Sequence, residues 1–119
     1  MRELIAPAAR RVVTLIGRRW SLPILMALQG NVLRNHQLRH VVSGVSDKVL
    51  VETLRALEDA GLVRRQVYTE VPLRVEYGLT DASQALLHLL APLNDWAAAY
   101  GNEKAPLEKI WAAAVGAPA

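Results

Sequence analysis

Residues 46–63 read Ser-Asp-Lys-Val-Leu-Val-Glu-Thr-Leu-Arg-Ala-Leu-Glu-Asp-Ala-Gly-Leu-Val, and residues 64–79 continue RRQVYTEVPLRVEYGL. Ser46 is a good helix N-cap, because its hydroxyl can accept from an amide of the first turn that has no helical partner. Leu50, Leu54 and Leu57 then recur on one face at helical spacing. Gly61 suits the left-handed position that follows a helix end. Beyond it the pattern alternates and turns at Pro72, which predicts a two-stranded hairpin. A short helix at 34–41 and the turn Ser43-Gly44-Val45-Ser46 precede this stretch. The order is that of a helix-turn-helix followed by a β-wing, an arrangement that serves DNA binding rather than catalysis.

Working outward, residues 8–17 form a first helix with Val12, Val13, Leu15 and Ile16 as its apolar side and Gly17 as its stop. Ser21 can cap a second helix over 22–29, with Pro23 in the first turn, where a missing N–H costs little. That helix is apolar nearly all round (Leu22, Ile24, Leu25, Met26, Leu28) and is expected at the centre of the core. Val32-Leu33 can add a short third strand beside the wing. Helix 34–41 exposes Arg34, Gln37 and Arg39 and buries Leu38 with Val41 or Val42.

The last long helix spans 80–100, capped by Thr80, with Asp81 favourable against the helix dipole. Ala82, Leu86, Leu89, Leu93, Trp96 and Tyr100 form a heptad-like seam, and Leu87 and Leu90 add a second apolar flank. Two apolar sides on one helix need two surfaces to cover them. Pro92 is expected to bend the helix near His88. A further amphipathic segment at 106–115 aligns Leu107, Ile110, Trp111 and Ala114. The expected fold is therefore mainly α with a small β-wing. It is one winged helix-turn-helix domain over 1–119, with N-terminal helices at 8–30, the helix-turn-helix at 34–60, the wing at 62–79 and dimerisation helices at 80–115. A homodimer joined through its N- and C-terminal helices follows from the uncovered apolar faces.

Composition narrows the function classes. The 119 residues are 52% hydrophobic, enough for one core, and carry a net charge of +3. That charge is unevenly spread. Residues 1–33 hold five Arg against one Glu; 34–77 hold seven Lys or Arg against six acids; 78–119 hold two Lys against four acids. The segment expected on DNA is thus not strongly basic, and its few cations have to be well placed. With no cysteine in the chain, disulfides, thiolate metal sites and thiol redox chemistry are excluded. No apolar run is long enough for a membrane span, and the start MRELIAPAARR lacks a signal-peptide core. A cytoplasmic location without membrane partners is expected.

With Leu50, Leu54 and Leu57 buried, Lys48, Val51, Glu52 and Arg55 fall on the exposed face of the second motif helix. In a major groove Lys48 can reach guanine O6/N7, Val51 a thymine methyl and Glu52 a cytosine amine, with Arg55 nearer a phosphate. On the wing, Arg64, Arg65, Thr69 and Arg74 are candidates for phosphates or the minor groove. Arg34 and Ser46 complete the candidate contacts, although capping competes for the Ser46 hydroxyl. Tyr68 and Tyr77 are expected to pack between wing and helix. The alternative for all these positions is a solvated face and an ordinary hairpin with charged edges.

His36 and His40 have zinc-compatible spacing, but no cysteine or obvious third ligand accompanies them, so no metal or other cofactor is assigned. No phosphate loop, nucleophile elbow or paired carboxylates appear, and an enzyme is not expected. Trp20, Trp96, Tyr100 and Trp111 either pack in the core and dimer interface or line a site for an apolar small-molecule effector.

Several strings also carry a family resemblance. Ile16-Gly17-Arg18-Arg19-Trp20-Ser21-Leu22-Pro23-Ile24-Leu25 resembles the I-G-x-K-W-T-x-x-I-L signature of HxlR-type, MarR-like winged-helix regulators. Val45 to Leu50, with Leu54-Arg55-x-Leu57-Glu58-x-x-Gly61-Leu62-Val63, resembles their recognition helix. Tyr68-x-Glu70-Val71-Pro72-x-Arg74-Val75-Glu76-Tyr77-x-Leu79-Thr80 resembles their wing and its exit. The likeness runs over roughly residues 6 to 100. It implies a dimeric, DNA-binding transcriptional regulator, with an inverted repeat as the natural site for two recognition helices. Departures are present as well: Ala6-Pro7 stands where many members have Cys-Pro, Asn35 where Phe is usual, and Asp47 and Thr53 where Gln and Arg are common. A regulator of this kind without thiol sensing, controlled by a non-covalent ligand, is one reading. A small-molecule-binding protein on the same scaffold with weakened DNA recognition is the other.

Overall fold

A computed structural model of the chain describes residues 6–100. Its elements are α1 (Pro7–Ile16), α2 (Ser21–Ala27), α3 (Asn35–Val41), α4 (Asp47–Asp59), β1 (Val63–Tyr68), β2 (Arg74–Leu79) and α5 (Asp81–Tyr100). The fold is mainly helical with one two-stranded antiparallel sheet as its wing. The chain divides into two compact units, one ending at Ala85 and the other beginning at Leu86.

In the first unit, α2 packs on α1, α3 and α4, while α3 also meets β2 and α4 meets β1. Ile24, Leu25 and Leu28 from α2 and its end, Leu38 and Val42 from α3 and its end, and Leu50, Leu54 and Leu57 from α4 are buried. Leu62, Val63 and Leu79 extend this core to the base of the wing. Two sequence expectations shift. The second helix is not buried all round: Met26 is 54% exposed, because the packed side is the one carrying Ser21, Ile24 and Leu25. Nor does Ser21 cap it. The chain turns tightly after α1, with Ser21 N–H donating to the Arg18 carbonyl, so the helix begins one residue early with Trp20 at the cap position. Ser21 is wholly buried, and its hydroxyl has no hydrogen-bond partner among the described residues. Of Val41 and Val42, the buried one is Val42.

Each end of α4 has a local cause. Ser46 is extended, and its Oγ accepts from Val49 N–H at 3.2 Å. At the other end Gly61 takes a φ of +78°, Leu62 N–H donates to the Leu57 carbonyl and Gly61 N–H to the Glu58 carbonyl. This is the paired closure that a left-handed residue permits, and it turns the chain directly into β1. The strands pair in a register that runs from Val63↔Leu79 to Tyr68↔Arg74. The expected third strand is a single bridge, in which Leu33 and Tyr77 exchange both backbone hydrogen bonds at 3.0 and 2.8 Å.

Thr80 and Ser83 close the start of α5 reciprocally. Thr80 N–H donates to Ser83 Oγ at 2.9 Å, and Ser83 N–H to Thr80 Oγ1 at 3.2 Å. Thr80 Oγ1 in turn donates to the Gly61 carbonyl at 2.7 Å, tying the end of α4 to the wing's exit. The second unit contains the rest of α5, which continues as helix through Pro92. The amphipathic segment expected at 106–115 lies outside the described residues.

Candidate nucleic-acid interface

The exposed stripe of α4 is Lys48, Glu52 and Arg55, with Val51 half-buried at its edge. The spacing derived from the leucines is therefore the observed one. Thr53 belongs to the buried side instead, 8% exposed, its hydroxyl donating to the Val49 carbonyl at 2.7 Å. It stands between Leu50 and Leu57 on the core stripe, so it is not available to a partner. Asp47 sits 3.7 Å from Arg39 in an exposed ion pair that links α3 to the first turn of α4. The pair partly neutralises both charges beside the recognition helix. On α3, Gln37 accepts from the Arg34 backbone N–H at 2.8 Å, leaving the exposed Arg34 side chain outside the cap. Gly44, with a φ of +95°, forms the turn between α3 and α4. The edge of the Trp20 ring lies 3.5 Å from the point a Cβ there would occupy.

Strand alternation sorts the wing residues onto two faces. Val63, Arg65 and Val67 pair with Leu79, Tyr77 and Val75 on the side that meets α4. Arg64, Gln66 and Tyr68 pair with Gly78, Glu76 and Arg74 on the other. Arg65 and Tyr77 line a cleft of about 360 Å³ together with Val51, Leu54, Arg55 and Glu58 of α4. Arg64 instead lies across Gly78, in a hollow of about 260 Å³ shared with Val32, Gln66, Tyr68 and Glu76. Only Tyr77 thus packs between wing and helix as expected. Tyr68 faces the other way, beneath Arg74, whose guanidinium carbon lies 4.0 Å above its ring. Arg74 also approaches Glu70 at 3.1 Å and Glu76 at 3.8 Å. Thr69 is exposed in the loop at the wing tip, as are Val71 and Leu73.

The candidate cations therefore differ in commitment. Arg39 and Arg74 are engaged by carboxylates, whereas Lys48, Arg55, Arg64 and Arg65 have no ion pair among the described residues. The pairing of Arg55 and Arg65 in one cleft was not read from the sequence, although the parity of the strand was enough to separate Arg64 from Arg65. Among the described residues no group of three metal-ligating side chains gathers around His36, His40 or elsewhere. No helix there is long and apolar enough to cross a membrane.

The aromatic candidates are spread over different elements. Trp20 is half-buried at the start of α2, with Arg19 stacked 4.8 Å from its ring. Trp96 and Tyr100 pair on α5 with ring centroids 5.6 Å apart, both exposed. Trp111 lies outside the described residues.

A short helix, a glycine turn, a capped second helix with an open polar face and a following hairpin define a winged helix-turn-helix protein. Known proteins narrow the class further. The HxlR-like helix-turn-helix family model matches residues 15–105. The chain is 37% identical over 97 residues to an HTH-type transcriptional regulator of Methanothermobacter thermautotrophicus, covering 76% of this chain and 74% of that one. It is 39% identical over 88 residues to the HTH-type transcriptional regulator YtfH of Escherichia coli, covering 74% and 70%. The reduced form of the transcriptional regulator YodB from B. subtilis superposes with a TM-score of 0.76 at 30% identity, over 82% of this chain and 95% of that one. The chain belongs to the HxlR-like helix-turn-helix family, and it is a transcriptional regulator with a helix-turn-helix DNA-binding domain.

Proposed function

We propose that this regulator binds double-stranded DNA sequence-specifically as a homodimer, using the whole chain as a single winged helix-turn-helix domain. The observation that carries the reading is the exposed face of α4, where Lys48, Glu52 and Arg55 stand clear of the core beside half-buried Val51. Lys48, Val51 and Glu52 read base edges in the major groove, and Arg55 holds phosphate. Ser46 stays at the helix cap, within reach of the backbone. Arg34 contributes from α3; Arg64, Arg65, Thr69 and Arg74 contribute from the wing. Arg74, already held by two carboxylates, has the smallest share.

The dimer in this reading uses apolar surface that the first helix and α5 leave uncovered. No residue of α1 is buried, although Val12, Val13, Leu15 and Ile16 line one side. On α5, Leu89 is 76% exposed and continues through Leu93, Trp96 and Tyr100 as a stripe. Stripes of this kind on a folded chain are interaction surfaces. Two recognition helices related by a twofold axis then call for an inverted repeat, with half-sites about one helical turn, roughly 34 Å, apart. Where a small molecule controls this regulator, it does so non-covalently, since the chain has no thiol to modify. Trp20, Trp96, Tyr100 and Trp111 are its apolar contact candidates.

A mobility-shift assay with the DNA upstream of the chain's own gene tests the reading. Retention of an inverted-repeat fragment over random duplex at physiological salt is the expected result. Lys48→Ala should relax preference at one base pair per half-site by about 1–3 kcal/mol. Equal loss on specific and random DNA would show that Lys48 is not a base reader, and no discrimination by the unaltered chain would overturn sequence-specific binding.

A further inference from the structure

The positive charge of this chain is concentrated away from the elements that carry its expected DNA contacts. Residues 1–33 hold five Arg against one Glu, whereas the helix-turn-helix and wing over 34–77 hold seven Lys or Arg against six acids. A duplex held by so weakly basic a motif gains most from cations outside it that lie within reach. One such cation has a defined place. The turn from α1 into α2 is pinned by its backbone: Gly17 N–H donates to the Val13 carbonyl at 3.0 Å, Arg18 N–H to the Leu15 carbonyl at 3.2 Å and Ser21 N–H to the Arg18 carbonyl at 3.2 Å. Arg19 is exposed in this turn and has no ion pair among the described residues. Its guanidinium carbon lies 4.8 Å from the centroid of the Trp20 ring. Cη2 of the same ring lies 3.5 Å from the point a Cβ on Gly44 would occupy. Gly44 makes the turn between α3 and α4, just ahead of Ser46 at the α4 cap. Trp20 therefore bridges from the α1–α2 turn to the turn of the motif, with a cation stacked on it. The N-terminal end of a recognition helix approaches base edges while the helix before it crosses the backbone, so the turn that joins them lies beside phosphates.

We propose that Arg19 is a further DNA contact of this regulator, a phosphate clamp outside the helix-turn-helix that Trp20 holds in place. A guanidinium stacked on an aromatic face keeps its edge N–H groups free for a phosphate, and it has less freedom left to lose on binding. Arg19 supplies affinity and fixes how α4 sits against the backbone; it reads no base. Trp20 is a positioning residue, which gives its ring a duty independent of any ligand. The assignment rests on the proposal above that α4 enters the duplex, but neither on which bases α4 reads nor on the dimer.

Salt titrations of the full chain on an inverted-repeat fragment and on random duplex test the clamp. For each phosphate released, Arg19→Gln should weaken both complexes about fivefold at physiological salt and lower the slope of log affinity against log salt by nearly one unit. Arg18→Gln removes the same charge from the adjacent exposed position, which has no aromatic platform among the described residues, and should move the slope by less than about half as much. Arg19→Lys should keep the slope and lose only a few-fold in affinity, because an ammonium retains the charge without the planar fork. In a Trp20→Leu background, the slope change from Arg19→Gln should fall to about half or less, a coupling that a merely structural Trp20 would not produce. Circular dichroism checks that each variant is folded, and Trp20→Phe, with a smaller ring and a weaker cation–π contact, replaces Trp20→Leu if that chain unfolds. An unchanged slope for Arg19→Gln, or equal changes for Arg18→Gln and Arg19→Gln, would overturn the clamp. A full Arg19 effect that persists in the Trp20 variant would overturn the positioning role of the ring. A slope moved by Arg19→Gln but by neither Lys48→Ala nor Arg55→Gln would keep the clamp and overturn the α4 reading instead.

Discussion

Arg65 and Arg74 look equivalent as wing cations, and their surroundings separate them. Arg65 lines the α4 cleft without an ion pair among the described residues, whereas Arg74 is flanked by Glu70 and Glu76 and stacked on Tyr68. A cation already neutralised gains little from a phosphate, because the new attraction is offset by the ion pairs it must loosen. Arg65→Gln should therefore weaken binding to all DNA and reduce the slope of log affinity against log salt by nearly one unit for each phosphate it no longer neutralises. Arg74→Gln should change that slope less and lower the stability of the hairpin instead. Salt titrations of both variants on one fragment decide the point: equal slope changes would mean that Arg74 leaves its carboxylates on binding. The sequence could not rank the two, since Tyr68, Glu70 and Glu76 surround Arg74 only once the hairpin pairs.

At the scale of elements, the signals that transmitted best were local ones. Ser46, the leucine spacing of α4, Gly61 and the alternation after it each act within a turn or a strand, and each is found as read. Elements that depend on distant neighbours were less legible. Met26 is exposed because α2 has neighbours on its other side, a fact that no periodicity within seven residues carries. Thr53 is buried because its hydroxyl is satisfied by the preceding turn, which lets a polar residue join an apolar stripe. The arginine cleft needed the fold itself, since Arg55 and Arg65 meet only across α4 and β1. The junction of wing and α5 yields a prediction at this scale. Ser83 is wholly buried and serves Thr80 as the reciprocal half of the cap. Ser83→Ala leaves the Thr80 N–H without its side-chain acceptor and should lower unfolding stability by about 1–2 kcal/mol. A denaturant melt shows this as a lower midpoint at unchanged slope. An unchanged midpoint would mean that Thr80 Oγ1 alone sustains the junction.

For the molecule as a whole, the apolar residues left outside the core matter as much as those within it. Leu89, Leu93, Trp96 and Tyr100 follow the heptad-like seam read from the sequence, and all four are exposed in the single chain. Leu89→Glu with Leu93→Glu should convert a dimer into a monomer by light scattering while far-UV circular dichroism is retained. A folded double variant that stays dimeric would put the interface elsewhere. The same separation of core from assembly bears on control. YodB is known in reduced and diamide-treated forms, but this chain contains no cysteine. Sulfenic acid, disulfide and thiol adducts all begin from a thiolate, so none can form here. Peroxide, diamide and aldehydes should therefore leave DNA affinity and dimerisation unchanged at doses that spare Met and Trp. Mobility shifts and light scattering run with and without diamide check both. A diamide-dependent loss of binding by the purified chain would show that a group other than a thiol senses oxidation and would overturn purely non-covalent control.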